Sequence, residues 1–87
     1  MQRRIRTVAQ LGRIVASARI AQGLRATELT ASHVFVGDLE RGKETAQIGK
    51  VLSVLADLGI EVILEMPPGV ELPEDSEEQP LRRRISR

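Results

Sequence analysis

Apolar residues recur every three to four positions in two parts of the chain, at the spacing of one helical face. The first set is Val8, Leu11, Val15, Ala18 and Ala21, and the second set is Ile48, Val51, Leu52, Leu55 and Leu58. Thr7 and Gln10 have the spacing of a capping box, while Gly23 marks the end of the first set. The pattern predicts one helix over residues 8–22 and another that Thr45 caps and Gly59 ends.

The segment between these helices contains a short helical stretch, residues 24–29, with Leu29 turned inward. His33-Val-Phe-Val36 alone would favour a strand, because it is rich in β-branched and aromatic residues. However, Phe35 and Leu39 are four residues apart and Gly42 stands where a helix would stop. We therefore predict a helix through this segment that stops near Gly42.

Residues 60–66 alternate, with Ile60, Val62, Leu64 and Met66 facing one way. The alternation predicts one strand, and the sequence offers no second strand of comparable quality to pair with it. The simplest partner is the same strand of a second copy, which would form an antiparallel ribbon across a two-fold axis. The residues expected at this dimer interface are Ile60, Val62, Ile63 and Leu64.

Length and composition indicate one small domain over residues 1–66, followed by a flexible charged tail over 67–87. The chain has one Phe and no Trp, Tyr or Cys, so aliphatic side chains must form the core. Disulfides, thiolate nucleophiles and Cys-based metal sites are absent, and His33 is the single imidazole. No apolar run reaches the roughly 18 residues of a membrane span. We expect a cytoplasmic protein that is not an enzyme and needs no metal or cofactor.

The net charge of +1 is unevenly distributed. Residues 1–25 contain six Arg and no acidic residue, whereas residues 71–78 contain five acidic residues. The amino-terminal part is therefore suited to contact phosphate. An ordinary solvated helix face with a basic tail explains the same charges equally well.

Several blocks together resemble the Xre, or lambda-repressor-like, helix-turn-helix proteins, and more narrowly the HipB-type antitoxins. They are Leu11-Gly-Arg-Ile-Val, Gly23-Leu24, Glu28-Leu29, Phe35 to Lys43, Thr45-Ala-Gln-Ile-Gly-Lys-Val-Leu52 and Leu58-Gly-Ile-Glu-Val-Ile-Leu64. The resemblance spans about residues 8–66, and its most specific part is the ordered run from residue 39 to the predicted strand. It implies an all-α helix-turn-helix bundle with one carboxy-terminal strand that pairs across a homodimer.

The functions implied by this resemblance are binding of double-stranded operator DNA, repression of the protein's own operon and inhibition of a HipA-type kinase toxin. The operator would be an inverted repeat with half-sites about 34 Å apart. Carried over by position, the reading helix has Ser32 as its N-cap and runs to about residue 41. The DNA-binding residues that the resemblance implies are Arg25, Thr27, Ser32, His33, Val34, Gly37, Arg41 and Lys43. Among them, Arg25, Arg41 and Lys43 are expected on phosphate.

The chain departs from the family before the reading helix. Only Thr30 and Ala31 separate Leu29 from Ser32, so about four residues, close to one helical turn, are missing from the turn. Either the turn is compressed, or helix two and the reading helix form one rod and lose the angle needed to enter the groove.

The expected groove-facing residues are a second departure. Val34 and Gly37 cannot make bidentate contacts with bases, although Val34 could touch a thymine methyl and His33 remains a polar reader. These departures predict binding by shape and charge. The alternative hypothesis is a dimeric protein-binding antitoxin or adaptor that has lost sequence-specific DNA reading.

Overall fold

The computed structural model describes residues 1–72 and contains three α-helices with one short 3₁₀ helix. These are α1 (Val8–Ala21), the 3₁₀ helix (Ala26–Glu28), α2 (His33–Glu40) and α3 (Ile48–Asp57). The helical fold class and the approximate positions of the main helices are confirmed. The predicted flexible tail from residue 67 lies mostly outside the described residues.

The start of α1 is the capping box that the sequence predicts. The Gln10 amide N–H donates to Thr7 Oγ1 at 3.1 Å, and the Thr7 amide N–H donates to Gln10 Oε1 at 3.1 Å. These two bonds satisfy amide donors that have no partner inside the helix. The helix then buries Gly12 and Val15 against the rest of the domain.

The core lies where α1, α2 and α3 meet. Its fully buried side chains are Val15, Val36, Leu39 and Val54. Leu29, Val51, Leu55 and Leu58 complete the buried cluster. Because these aliphatic side chains are closely packed, the distance between neighbouring helices has a large influence on the free energy of unfolding.

The beginning of α3 differs from the prediction. Its N-cap is Gln47, without a side-chain cap, and Thr45 lies in a turn in which the Ala46 amide N–H donates to the Lys43 carbonyl at 3.2 Å. The helix therefore starts at Ile48, three residues after Thr45. Its buried face is also rotated relative to the predicted apolar stripe, since Ile48 and Leu52 of that stripe are 69% and 47% exposed whereas Val54 is fully buried.

Helix two is reduced to the single 3₁₀ turn, and it does not fuse with α2. Leu29 and Ser32 both have extended backbone, with ψ of 163° and 153°, so the chain changes direction between the two elements. Of the two alternatives, the compressed turn is the one observed. Asp57, at the end of α3, accepts hydrogen bonds from the Thr30 amide at 2.7 Å and the Thr30 hydroxyl at 3.1 Å.

The segment expected to form a strand has no assigned secondary structure in the single chain. Ile60 packs partly against the core, but Val62, Ile63 and Leu64 are 54%, 62% and 78% exposed. Within residues 1–72 there is no strand with which this segment could pair. The predicted interface residues beyond Ile60 are thus solvent-facing in one subunit.

Candidate nucleic-acid interface

The predicted reading helix is present, and α2 has one buried and one exposed side. The Phe35 amide N–H donates to Ser32 Oγ at 3.1 Å, which confirms Ser32 as the N-cap. Val36 and Leu39 are fully buried and fix the helix to the core. The opposite side begins with His33 and Val34, both exposed. Of the residues expected to face the groove, His33 and Val34 therefore face solvent, whereas Gly37 is partly buried.

Two basic residues follow α2 and share one acidic partner. Arg41 Nη2 lies 2.7 Å from Asp38 Oδ1, and Lys43 Nζ lies 3.5 Å from Asp38 Oδ2. The side chains of Arg41 and Lys43 are 73% and 54% exposed. Ion pairs this exposed contribute little to stability, so the basic groups remain available to an external anion. Sequence analysis identified the two bases but missed Asp38, whose spacing three residues before Arg41 on a helix was the available signal.

Gly42 places these basic residues by closing α2 tightly against α1. Its φ of 86° allows the Gly42 amide to donate to the Leu39 carbonyl at 2.9 Å and the Lys43 amide to the Asp38 carbonyl at 3.0 Å. A Cβ at residue 42 would lie 2.9 Å from Ala9 Cα. The basic residues therefore flank a point where the end of α2 touches the start of α1.

Gly42→Ala is expected to lower the free energy of unfolding by more than Gly23→Ala. Both glycines have positive φ, of 86° and 71°, so each substitution costs about 1 kcal/mol in backbone strain. Only at residue 42 does the new methyl meet backbone; nothing lies within 4 Å at residue 23. Urea unfolding of the two variants measures the difference, and equal losses would contradict the close contact with Ala9.

The other predicted phosphate contact, Arg25, lies at the start of the 3₁₀ helix, which packs against α2. Glu28 Oε1 accepts a hydrogen bond from the Arg25 amide at 2.6 Å and thereby closes the turn. The Arg25 and Thr27 side chains are both exposed. The compressed helix two thus still presents polar groups beside α2.

Lys50 is a basic residue near the reading helix that sequence analysis missed. Its Nζ lies 5.8 Å from the centre of the Phe35 ring, so the cation rests over the aromatic face while the residue stays exposed. The apolar stripe of α3 predicts only the buried face of that helix. Lys50, in the first turn of α3, was the available signal that the opposite face of α3 carries a basic residue.

Arg19 and Glu40 fasten α1 to the end of α2. Arg19 Nε and Nη2 donate to the two Glu40 oxygens at 2.7 Å and 3.0 Å, and Nη1 donates to the Leu24 carbonyl at 2.9 Å. The hydrogen bonds to Glu40 raise the pKa of Arg19, partial burial opposes this, and the attraction to the Glu40 charge adds to the rise. Arg19 is therefore a structural cation and is not available to DNA.

Two absences apply to the described part of the chain. Residues 1–72 contain no group of three or more His, Asp or Glu side chains arranged to hold a metal ion. None of the helices in that part has the length and apolar character needed to cross a membrane.

Comparison with known proteins gives one informative relative. No family model matches the chain, and no solved structure matches it. The chain is 45% identical over 71 residues to the uncharacterized HTH-type transcriptional regulator y4mF of Sinorhizobium fredii. The match covers 77% of this chain and 93% of the relative.

Together with the exposed, capped α2 helix, the identity over most of both proteins shows that the chain belongs to the HTH-type transcriptional regulators.

Proposed function

We propose that this regulator binds double-stranded operator DNA as a homodimer and represses its own operon, with α2 of each subunit in a major groove. The observation that carries the proposal is the exposed side of α2, which starts at a capped N-terminus and ends at two exposed basic residues. In this proposal Arg25, Arg41 and Lys43 contact phosphates, His33, Val34 and Gly37 lie on the groove face, and Thr27 and Ser32 are further DNA contacts. In this arrangement, phosphate contacts position the protein and the groove face provides preference.

Pairing of residues 60–66 across the two-fold axis is the dimer contact that we propose. Val62, Ile63 and Leu64 expose most of their apolar surface in the single subunit, and the backbone there lacks a strand partner within the described residues. Pairing two such segments would bury the exposed apolar side chains and provide hydrogen-bond partners for the backbone. It would also fix the distance between the two α2 helices.

We further propose that the protein is the antitoxin of a type II toxin-antitoxin system and holds a HipA-type kinase inactive. Support for this comes from the sequence resemblance to the HipB-type branch, above all the run from Leu39-Glu-Arg-Gly-Lys43 to residue 64. Binding of the neighbouring gene product is the decisive test of this part.

A second candidate is a dimeric protein-binding antitoxin or adaptor without sequence-specific DNA reading. It is favoured by the reduction of helix two to three residues, because that helix normally crosses the DNA backbone and supports the reading helix. The two candidates differ in operator affinity. A mobility-shift assay with DNA from upstream of the operon, run beside a pull-down with the neighbouring gene product, distinguishes them.

Removal of two phosphate contacts should change the salt dependence of DNA binding. With Arg25→Gln and Lys43→Gln in both subunits, four contacts are lost, so the slope of log K against log salt should become shallower by roughly 3 to 4. Arg82→Gln with Arg83→Gln removes the same charge from the tail and is expected to change the slope less. Sedimentation of each variant checks that the dimer is retained. Equal slopes for the two double variants, or a monomeric parent protein, would refute the proposed mode of binding.

A further inference from the structure

On the outward face of α2, the space left by the missing side chain of Gly37 is occupied by the side chain of Arg41. Gly37 provides no side chain, and a Cβ built there would lie 3.3 Å from Arg41 Nη1, 3.7 Å from Nη2 and 3.8 Å from Cζ. The Arg41 guanidinium therefore lies over Gly37, one helical turn before its own Cα. This is the usual direction of long side chains on a helix, which point back toward its N-terminus.

The position of this guanidinium is fixed from one side. Asp38 Oδ1 accepts a hydrogen bond from Arg41 Nη2 at 2.7 Å, and the Asp38 side chain is only 27% exposed. Within the described residues, Asp38 is the one side-chain acceptor of Arg41, whose side chain is 73% exposed. One edge of the guanidinium thus binds Asp38, while the rest of this largely exposed group lies beside Gly37.

We infer that Arg41 is the base-reading residue of this regulator and that it donates two hydrogen bonds to O6 and N7 of a guanine in the major groove. The inference rests on the proposed function and reassigns Arg41 from phosphate to base. A planar guanidinium matches the two acceptors of guanine, whereas lysine offers a single point charge. Val34 and Gly37 can make no such contact, and Gly37 is the residue that leaves room for Arg41.

The anchoring by Asp38 strengthens the assignment. A long, free arginine loses side-chain entropy when it binds, and restraint before binding reduces that loss. Asp38 is a positioning residue in this scheme, because it acts on the base only through Arg41. A side chain at residue 37 would have to share the space that the guanidinium occupies.

The test begins with duplexes selected by the wild-type protein from a random-sequence pool. Each G·C pair of the selected duplex is then replaced by A·T, and affinities are measured for wild type, Arg41→Lys, Asp38→Asn and Arg13→Lys. For wild type, one G·C position in each half-site should cost about 5- to 150-fold on replacement. Arg41→Lys should abolish most of that discrimination with little change in salt slope, and Asp38→Asn should reduce it. Arg13→Lys, the matched control, makes the same exchange at an exposed position of α1 and should retain it.

The outcomes separate this inference from the proposed function. If Arg41→Lys still prefers the same guanine, Arg41 contributes charge alone and the inference is wrong, although the regulator still reads DNA. If wild type selects no sequence from the pool, both the base-reading role and the operator-binding function are refuted. Because Arg13→Lys and Arg41→Lys preserve charge at exposed positions, thermal unfolding should show both variants folded.

Discussion

Replacing Gly12 by alanine is expected to lower the free energy of unfolding by about 2 kcal/mol or more, which is in the upper range for an overpacked contact. A Cβ at this position would lie 2.3 Å from the Leu39 carbonyl oxygen and 2.8 Å from the Glu40 carbonyl oxygen. Both obstacles are backbone atoms at the end of α2, so they cannot move aside as a flexible side chain would. Relief requires α1 and α2 to separate where the core is fully buried.

A loss of stability on Gly12→Ala would be informative, because helix propensity alone predicts that alanine stabilises a helix by about 1 kcal/mol relative to glycine. Gly49 in α3 is the matched control, since nothing lies within 4 Å of a Cβ built there. Gly49→Ala should therefore stabilise the protein by roughly 0.5 to 1 kcal/mol. Urea unfolding of both variants provides the comparison. A stabilised Gly12→Ala protein would mean that α1 and α2 do not cross at this close distance.

Loss of either partner in the Arg19–Glu40 pair should destabilise the fold by about 2 to 3 kcal/mol, somewhat less than for a completely buried pair. Their side chains are 18% and 15% exposed, and the bonds are bidentate. Arg19→Met also leaves the Leu24 carbonyl without its guanidinium donor. Glu40→Gln keeps the shape of the side chain but leaves the Arg19 charge uncompensated.

A double-mutant cycle on this pair measures the coupling directly. If the contact is as strong as its geometry indicates, Arg19→Met with Glu40→Gln should cost little more than either single change. Arg4 and Glu65 provide the control, since their 3.3 Å contact joins side chains that are 87% and 79% exposed. Arg4→Met should leave the unfolding midpoint almost unchanged. Strictly additive losses at residues 19 and 40 would refute the coupling.

Much of this fold could be predicted from local sequence patterns. The capping box at Thr7 and the stops at Gly23 and Gly59 depend on nearby residues, and each was identified correctly. The N-cap at Ser32 was implied by the family resemblance and is also observed. The start of α3 was wrong because Thr45 satisfies the local rule for an N-cap, whereas the turn that follows Gly42 delays the helix.

Contacts between distant segments could not be predicted in the same way. The compressed turn before Ser32 was one of two alternatives, and in the structure Asp57 binds Thr30 of this turn across 27 residues. The inward rotation of α3 that exposes Ile48 depends on how three helices share one small core. Periodicity identifies an apolar stripe but not which edge of it a neighbouring helix covers.

The candidate site shows the same division. The exposed side of α2 followed from its buried side, because Val36 and Leu39 fix the rotation of the helix. The direction of the Arg41 side chain did not follow, since it depends on both the gap at Gly37 and the acceptor at Asp38. The family resemblance implied a position for Arg41 at the end of the helix, on phosphate.

The hydrogen bonds from Thr30 to Asp57 join the segment before α2 to the end of α3. Thr30 lies two residues before the cap of α2, and Asp57 lies three residues before Ile60. A displacement of the last turn of α3 would therefore be transmitted to the residues that precede α2. Through these two hydrogen bonds, a ligand bound to the carboxy-terminal segment would change the orientation of α2 without contacting it.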